Sequence, residues 1–319
     1  MSSPHARHDS PPPEGAISGP GQPGATEVTA SYRESVACFG PQGRLVGILC
    51  EPLATPAASV ACLLTNTGVG ERIGPNRVNV KLARALAGQG VTSLRFDISG
   101  LGESPSATTS VGGFRTQVVR DQQAAMDWLT AQRGFARFMQ FGICSGAVNG
   151  YLLAEAEPRL VGLAMFDGFA YVTGAARLRY QWLDWRRTPL AQWPAKLGDK
   201  LHGRVRRATG NVQAAPDMFA GDSVPITPPP AAFAATLNAL TARGVEVAIW
   251  YSGSGLFEVN HPRQLHEAFA GQPFMAEVTT DLLLDVDHIV TPLSAQRRIL
   301  ALVGDWARRV IARQPKEVS

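Results

Sequence analysis

Several sequence patterns that mark cofactor and metal sites are absent from this chain of 319 residues. It has four cysteines but no Cys-x-x-Cys pair and no Cys/His cluster, so we expect no zinc or iron–sulfur site. It has no GxxxxGK[ST] phosphate loop, and no G-x-G-x-x-G turn follows the first predicted parallel strand. Both absences argue against a dehydrogenase or other nucleotide-binding function, and we expect no cofactor.

Long apolar runs and a strong charge bias are also lacking. No stretch approaches the roughly 20 apolar residues that span a bilayer, and the N-terminus lacks the hydrophobic segment of a secretory signal. We therefore expect a cytoplasmic location. The formal charge of +4 is modest for this length, and no basic stripe is interleaved with aromatic residues. We expect no nucleic-acid partner.

The apolar content of 45% suffices for one large α/β core. Residues 1–27 contain repeated Pro, Gly and Ser and no apolar run, so we expect a disordered tail. Stretches of strand and helix character then alternate, which predicts a doubly wound, mainly parallel sheet that begins with two antiparallel strands. The alternation stops at residues 168–230, so the core is expected to consist of residues 28–167 and 231–319.

The apolar spacing also predicts the individual elements. Predicted strands cover residues 32–39, 44–50, 60–65, 91–96, 138–143, 160–166, 245–251 and 275–284. Predicted helices cover residues 76–87, 118–131, 145–155, 231–242, 261–270 and 293–312.

A glycine-rich pentapeptide, Gly142-Ile143-Cys144-Ser145-Gly146, separates a predicted strand from a predicted helix. A nucleophile at the apex of such a sharp turn needs very small residues two positions before and after it. Gly142 and Gly146 meet this need around Cys144, whereas a pattern centred on Ser145 would place the branched Ile143 there. The spacing therefore favours Cys144 as a nucleophile. The alternative is a buried thiol in a glycine-rich turn.

The order of these parts resembles the α/β-hydrolase superfamily: an antiparallel start, a parallel sheet, a nucleophile elbow after the fifth strand, an insertion after the sixth and a histidine after the last. The segment RFDISGLGES, Arg95 to Ser104, resembles the turn after the fourth strand of esterase-like members. The segments NTGVGERIGPNRVNVKLARALAGQG, FGICSGA and DHIVTP resemble a bacterial branch of serine-aminopeptidase-like hydrolases. The resemblance covers nearly everything beyond the tail. It departs from the majority pattern at Cys144, where most members have serine.

The resemblance implies a set of site residues. In this superfamily the base is a histidine in the loop after the last strand, which here is His288, and the alternative for a lone histidine is a structural role. His288 and the N-terminus of the following helix are expected to favour the thiolate of Cys144, which attacks an acyl carbonyl and forms a thioester. The implied oxyanion hole consists of backbone N–H groups of Ser145 and of Thr67 or Gly68.

The orienting acid has two candidates. Asp167 directly follows the sixth predicted strand, and Glu258 lies in the loop after the seventh. A carboxylate at the end of a parallel strand points toward the catalytic edge of the sheet, which favours Asp167. A Cys–His dyad without an acid is the third option. Asp285 and Asp287 are interpreted as loop-capping carboxylates.

The insertion at residues 168–230 is expected to form a helical cap that is rich in Trp, Arg and Lys and poor in acids. One hypothesis is that the arginines of this cap select a small-molecule or carrier-linked acyl substrate that is anionic. The alternatives are a solvated basic face and peripheral contact with an anionic membrane surface. The expected function is hydrolysis of an ester, thioester or amide. Acyl transfer from the same thioester and a catalytically inactive binding protein of this fold are the alternatives.

Overall fold

Eight strands form one sheet in the computed structural model, which describes residues 31–55, 57–107, 112–189, 227–255 and 258–315. The predicted tail and residues 190–226 of the predicted cap lie outside the described residues. The strands are β1 (Tyr32–Phe39), β2 (Leu45–Pro52), β3 (Val60–Leu64), β4 (Ser93–Phe96), β5 (Arg137–Ile143), β6 (Leu160–Phe166), β7 (Glu246–Ser252) and β8 (Thr279–Leu283).

The strand order is β1-β2-β4-β3-β5-β6-β7-β8. The first two pairings, β1 with β2 and β2 with β4, are antiparallel, and all later pairings are parallel. Parallel neighbours need crossover connections, which the helices supply. The predicted mainly parallel sheet with an antiparallel start is therefore confirmed.

Helices cover both faces of this sheet. Buried residues of α2 (Gly113–Arg133), α3 (Ser145–Ala156) and α5 (Pro230–Ala242) belong to one core cluster, and buried residues of α1 (Val78–Ala87) and α7 (Leu293–Ala312) belong to a second. The strands of a parallel sheet are buried on both sides by this arrangement, which explains their continuous apolar runs. The α-helices of the described residues are α1 (Val78–Ala87), α2 (Gly113–Arg133), α3 (Ser145–Ala156), α4 (Gly174–Arg187), α5 (Pro230–Ala242), α6 (Gln264–Ala268) and α7 (Leu293–Ala312).

The bounds of several elements differ from the sequence-based prediction. Helix α2 begins at Gly113 instead of residue 118, and α6 covers only Gln264–Ala268 of the predicted 261–270. Strand β8 begins at Thr279, because residues Pro273–Ala276 form a 3₁₀ helix instead of extending the strand. Helix α4 lies in the predicted insertion, and Leu178 and Trp182 on this helix are exposed.

The carboxyl ends of β5, β6 and β7 meet at one edge of the sheet. Ile143 pairs with Phe166, and Phe166 pairs with Trp250. The residues that follow these positions therefore emerge side by side. This register brings Cys144 and Asp167 to the same edge, where ligands bind in open α/β sheets.

Candidate active site

The turn between β5 and α3 is centred on Cys144, which has φ 55° and ψ −118°. A Cβ on Gly142 would lie 2.1 Å from the carbonyl carbon of Gly146, and a Cβ on Gly146 would lie 2.8 Å from the carbonyl oxygen of Asn66. Neither position has room for a side chain. The left-handed backbone of a non-glycine residue is strained, and such strain is typical of functional positions.

The backbone of Cys144 is held on both sides. Its N–H donates to the carbonyl oxygen of Phe166 at 2.8 Å, and its own carbonyl accepts from Ala147 and Val148 at 3.0 and 3.2 Å. The first bond continues the ladder of β5 and β6, and the other two begin α3. The thiol is half-buried, so it stands at a fixed point between the sheet and the helix N-terminus.

His288 lies in the loop after β8 and is hydrogen-bonded to Asp167. Its Nδ1 lies 2.8 Å from Oδ2 of Asp167, and its backbone N–H donates to Oγ of Ser254 at 3.1 Å. Oδ1 of Asp167 accepts from the backbone N–H of Ser252 at 2.7 Å. Both carboxylate oxygens are thus engaged, which fixes the orientation of the imidazole ring.

The pKa of His288 is raised from 6.5 to about 10. The largest cause is the hydrogen bond with Asp167, the next is a hydrogen bond with the Cys144 side chain, and partial burial opposes both. Because Nδ1 faces Asp167, Nε2 is the nitrogen available to Cys144. The raised pKa favours a protonated imidazole at neutral pH.

The other carboxylates near His288 have different surroundings. Glu258 is exposed and lines a cavity of about 310 Å³ together with Asp167 and His288. Asp285 forms an ion pair with Arg298. Asp287 accepts the backbone N–H of Thr291 at 2.6 Å, as a loop-capping residue does. Among the described residues, the carboxylate that hydrogen-bonds with His288 is Asp167.

Ser145 and Gly68 are in direct contact, although Ser145 follows β5 and Gly68 follows β3. Ser145 is the first residue of α3, so its N–H has no acceptor within the helix. The backbone N–H of Gly68 donates to the side-chain Oγ of Ser145 at 2.6 Å. Sequence reasoning missed this bond, because it considered only backbone groups of the two residues. The Thr67 hydroxyl is buried and has no hydrogen-bond partner among the described residues.

The loop that carries Thr67 and Gly68 is anchored by Asp97, whose side chain is completely buried. Asp97 accepts from Asn66 Nδ2 at 3.0 Å and from the backbone N–H of Arg72 at 2.6 Å, and it forms an ion pair with the Arg72 guanidinium. Asp97 belongs to the RFDISGLGES segment. That segment therefore positions the neighbouring loop.

Two cavities flank the Cys144–His288 pair. One, of about 190 Å³, is mainly apolar and is lined by Cys144, Ser145 and Gly68 together with Ile98, Phe114, Val148 and Leu152. The other is the cavity of about 310 Å³ beside His288. Gly168 lines both. The site therefore offers separate space on the thiol side and on the imidazole side.

The remaining cysteines lie in or near the amino-terminal strands. Burial raises the pKa of the Cys50 thiol to about 11 and that of the Cys62 thiol to about 12. Cys38 is exposed on β1. In the described ranges, no three His, Cys, Asp or Glu side chains form a group that suits a metal ion. The helices described here are all too short or too polar to cross a bilayer.

Sequence comparison finds similarity over part of the chain. No family model matches the chain. It is 29% identical over 175 residues to uncharacterized proteins from two strains of Mycobacterium tuberculosis. The alignment covers 54% of this chain, and the chain spans only 58% of the length of these curated relatives.

Solved structures share the architecture at low identity. An esterase from Butyrivibrio proteoclasticus has a TM-score of 0.54 and 14% identity, with 88% of this chain and 100% of that chain covered. An esterase from Pyrococcus furiosus has a TM-score of 0.53 and 15% identity, with 88% and 91% covered. An α/β serine hydrolase without a lid from Xanthomonas campestris has a TM-score of 0.51 and 16% identity, with 90% and 98% covered. Together with the strand order and the helix layers, these likenesses show that the chain has the α/β-hydrolase fold.

Proposed function

We propose that this protein is an acyl hydrolase that cleaves an ester, thioester or amide through Cys144, His288 and Asp167. The observation that carries the proposal is the 2.8 Å hydrogen bond between Asp167 and His288, beside the strand-to-helix turn that presents Cys144. The raised pKa of His288 reflects its interaction with both Asp167 and the Cys144 side chain. A nucleophile, a base within hydrogen-bond reach and a third group that orients the base are the parts that covalent acyl transfer needs.

The charge state of the site favours sulfur as the attacking atom. The pKa of His288, raised to about 10, favours a positive charge beside the Cys144 sulfur, and an adjacent cation is typical of nucleophilic cysteines. The positive N-terminal end of α3 acts in the same direction. The sulfur then attacks the acyl carbonyl carbon. A carbon–sulfur bond forms, and the carbonyl π electrons move onto the oxygen.

The second half of the cycle returns the proton. When the oxyanion collapses, the bond to the leaving group breaks, and the leaving group takes a proton from His288 Nε2. The neutral imidazole next accepts a proton from a water molecule that attacks the thioester. The second collapse releases the carboxylic acid and the thiolate, and His288 is again protonated. Asp167 stabilises the imidazolium through Nδ1 and does not exchange a proton.

The two cavities support separate binding sites for the acyl group and for the leaving group of the substrate. The acyl group occupies the mainly apolar cavity of about 190 Å³ at Cys144, because the attacked carbon must lie next to the sulfur. The leaving group occupies the cavity of about 310 Å³ at His288, because that imidazole gives it a proton. Three structural neighbours are esterases or serine hydrolases, which supports hydrolysis of an ester in particular.

We further propose that basic residues of the cap recognise an anionic or carrier-linked substrate. On α4, Arg177, Arg179 and Arg186 are exposed, and the Arg186 guanidinium lies 4.6 Å from the centroid of the Trp182 ring. These cations support recognition of negative charge. The basic residues after α4 that motivated the same prediction lie outside the described residues: Lys196, Lys200, Arg204, Arg206 and Arg207.

The test is intact-protein mass spectrometry after incubation with activated esters and thioesters, followed by peptide mapping. We expect an acyl mass on Cys144 that disappears as water hydrolyses the thioester, and no adduct in Cys144→Ala. An adduct that persists until an amine or alcohol is added would identify an acyltransferase. A folded protein that forms no adduct on Cys144 would contradict the mechanism and favour a binding protein of this fold.

A further inference from the structure

The side-chain hydroxyl of Ser145 lies against a backbone group that is expected to help form the oxyanion hole. Its Oγ is 2.6 Å from the backbone nitrogen of Gly68, the group that resemblance assigns to the oxyanion hole. Ser145, Gly68 and Cys144 line the same cavity of about 190 Å³. The hydroxyl is thus next to the nucleophile and in contact with a backbone donor.

The hydrogen bonds of Ser145 leave its hydroxyl proton available. A serine hydroxyl accepts two hydrogen bonds and donates one. Here the oxygen accepts from Gly68, and within the described residues no acceptor takes the hydroxyl hydrogen. A donor that also accepts a hydrogen bond is polarised by it, because linked hydrogen bonds strengthen one another. The Ser145 hydroxyl is therefore a polarised hydrogen-bond donor, and Ser145 lines the cavity that contains Cys144.

We propose that the Ser145 hydroxyl donates directly to the oxyanion that forms when Cys144 attacks an acyl carbonyl. In this arrangement one residue supplies two donors, its backbone N–H and its hydroxyl, and the Gly68 N–H acts through the hydroxyl. This inference rests on the acyl-transfer function proposed above. It changes one sequence-based expectation, since Gly68 supports the oxyanion indirectly and does not contact it.

Two reactions of the same thiol separate this role from a structural one. Acylation by p-nitrophenyl acetate forms a tetrahedral oxyanion, whereas alkylation by iodoacetamide displaces iodide at a saturated carbon and forms none. For Ser145→Ala we expect single-turnover acylation to slow by ~10²-fold while the alkylation rate is unchanged. Ser145→Thr keeps the hydroxyl and is expected to restore most of the acylation rate.

Three other outcomes would overturn the inference, and each points to a different role for the Ser145 hydroxyl or for the site. Equal slowing of acylation and alkylation in Ser145→Ala would mean that the hydroxyl only holds the turn in shape. Acylation at or above the wild-type rate would mean that the hydroxyl blocks the Gly68 N–H. If the wild-type thiol is alkylated but never acylated, the proposed function itself fails, and this inference fails with it.

Discussion

Oδ2 of Asp167 and Nδ1 of His288 are 2.8 Å apart, although 121 positions separate the two residues in the chain. The end of β7 and the turn after it hydrogen-bond to both residues. The Ser252 N–H donates to Asp167 Oδ1, and Ser254 Oγ accepts from the His288 N–H. In this chain β6 supplies the carboxylate to the histidine. The end of β7 supplies the polar groups that hold the pair in place.

The hydrogen bond between Asp167 and His288 predicts a loss of activity for one acid substitution and little change for another. Asp167→Asn removes the charge that stabilises the imidazolium, so we expect kcat for ester hydrolysis to fall by ~10²- to 10⁴-fold. Glu258→Gln is the matched control and should leave kcat close to the wild-type value, because Glu258 is exposed. Steady-state kinetics on one activated ester compares them. A loss confined to Glu258→Gln would identify Glu258 as the orienting acid.

The raised pKa of His288 predicts its titration. We expect the imidazole Cε1–H signal in NMR spectra to titrate near pH 10 in the wild-type protein. In Cys144→Ala the pKa should move down toward 6.5, since the hydrogen bond with Cys144 is one of its causes. A wild-type midpoint near 6.5 would contradict the Asp167–His288–Cys144 series.

The same shift has a consequence for stability. Because the folded-state pKa lies above the unfolded value of 6.5, the protonated pair contributes its full stabilisation below pH 6.5 and loses it as the pH rises through about 10. We therefore expect the Tm of the wild-type protein to fall more steeply over this range than that of His288→Gln. Parallel thermal-melting curves for the two proteins would count against the assignment.

Asp97 should matter for both stability and activity. Asp97→Ala leaves the Asn66 side-chain amide and the Arg72 backbone N–H without their acceptor, and leaves the Arg72 guanidinium paired only with the exposed Glu103. We expect this loss of buried partners to lower the free energy of unfolding by ~3 kcal/mol. Acylation should slow as well, because Asp97 anchors the loop that carries Gly68. Glu103→Gln is the control: Glu103 pairs with the same guanidinium, but 63% of its side chain is exposed. Urea unfolding measures both, and equal losses would contradict the argument.

Gly146 is predicted to be essential for the shape of the turn. In Gly146→Ala the new Cβ would lie 2.8 Å from the Asn66 carbonyl oxygen, so we expect a loss of roughly 1–3 kcal/mol and a displaced thiol. Gly174→Ala at the start of α4 is the matched control, because its Cβ would meet no atom within 4 Å. Thermal melting and the iodoacetamide rate report on the two effects. An unaffected Gly146→Ala protein would show that the turn tolerates a side chain.

Much of the fold was predictable because its signals are local. Strands β1 and β6 and helix α7 have the bounds that apolar spacing predicts. The glycine spacing around Cys144 likewise reflects a steric requirement within five consecutive residues. The strand order was not predictable in this way, since pairing between β2 and β4 and between β3 and β5 depends on contacts distant in sequence.

The sequence by itself determined that this chain forms a mainly parallel α/β sheet with a turn suited to a nucleophile at residue 144, because apolar period and glycine spacing act over a few residues. Only the tertiary structure decided which carboxylate hydrogen-bonds with His288. It also decided that the Ser145 hydroxyl oxygen accepts from the Gly68 N–H, and that Asp97 anchors a neighbouring loop. Each of these contacts joins residues that follow different strands of the sheet. Their partners are set by the lateral order of the strands, and residue type alone carries no information about that order.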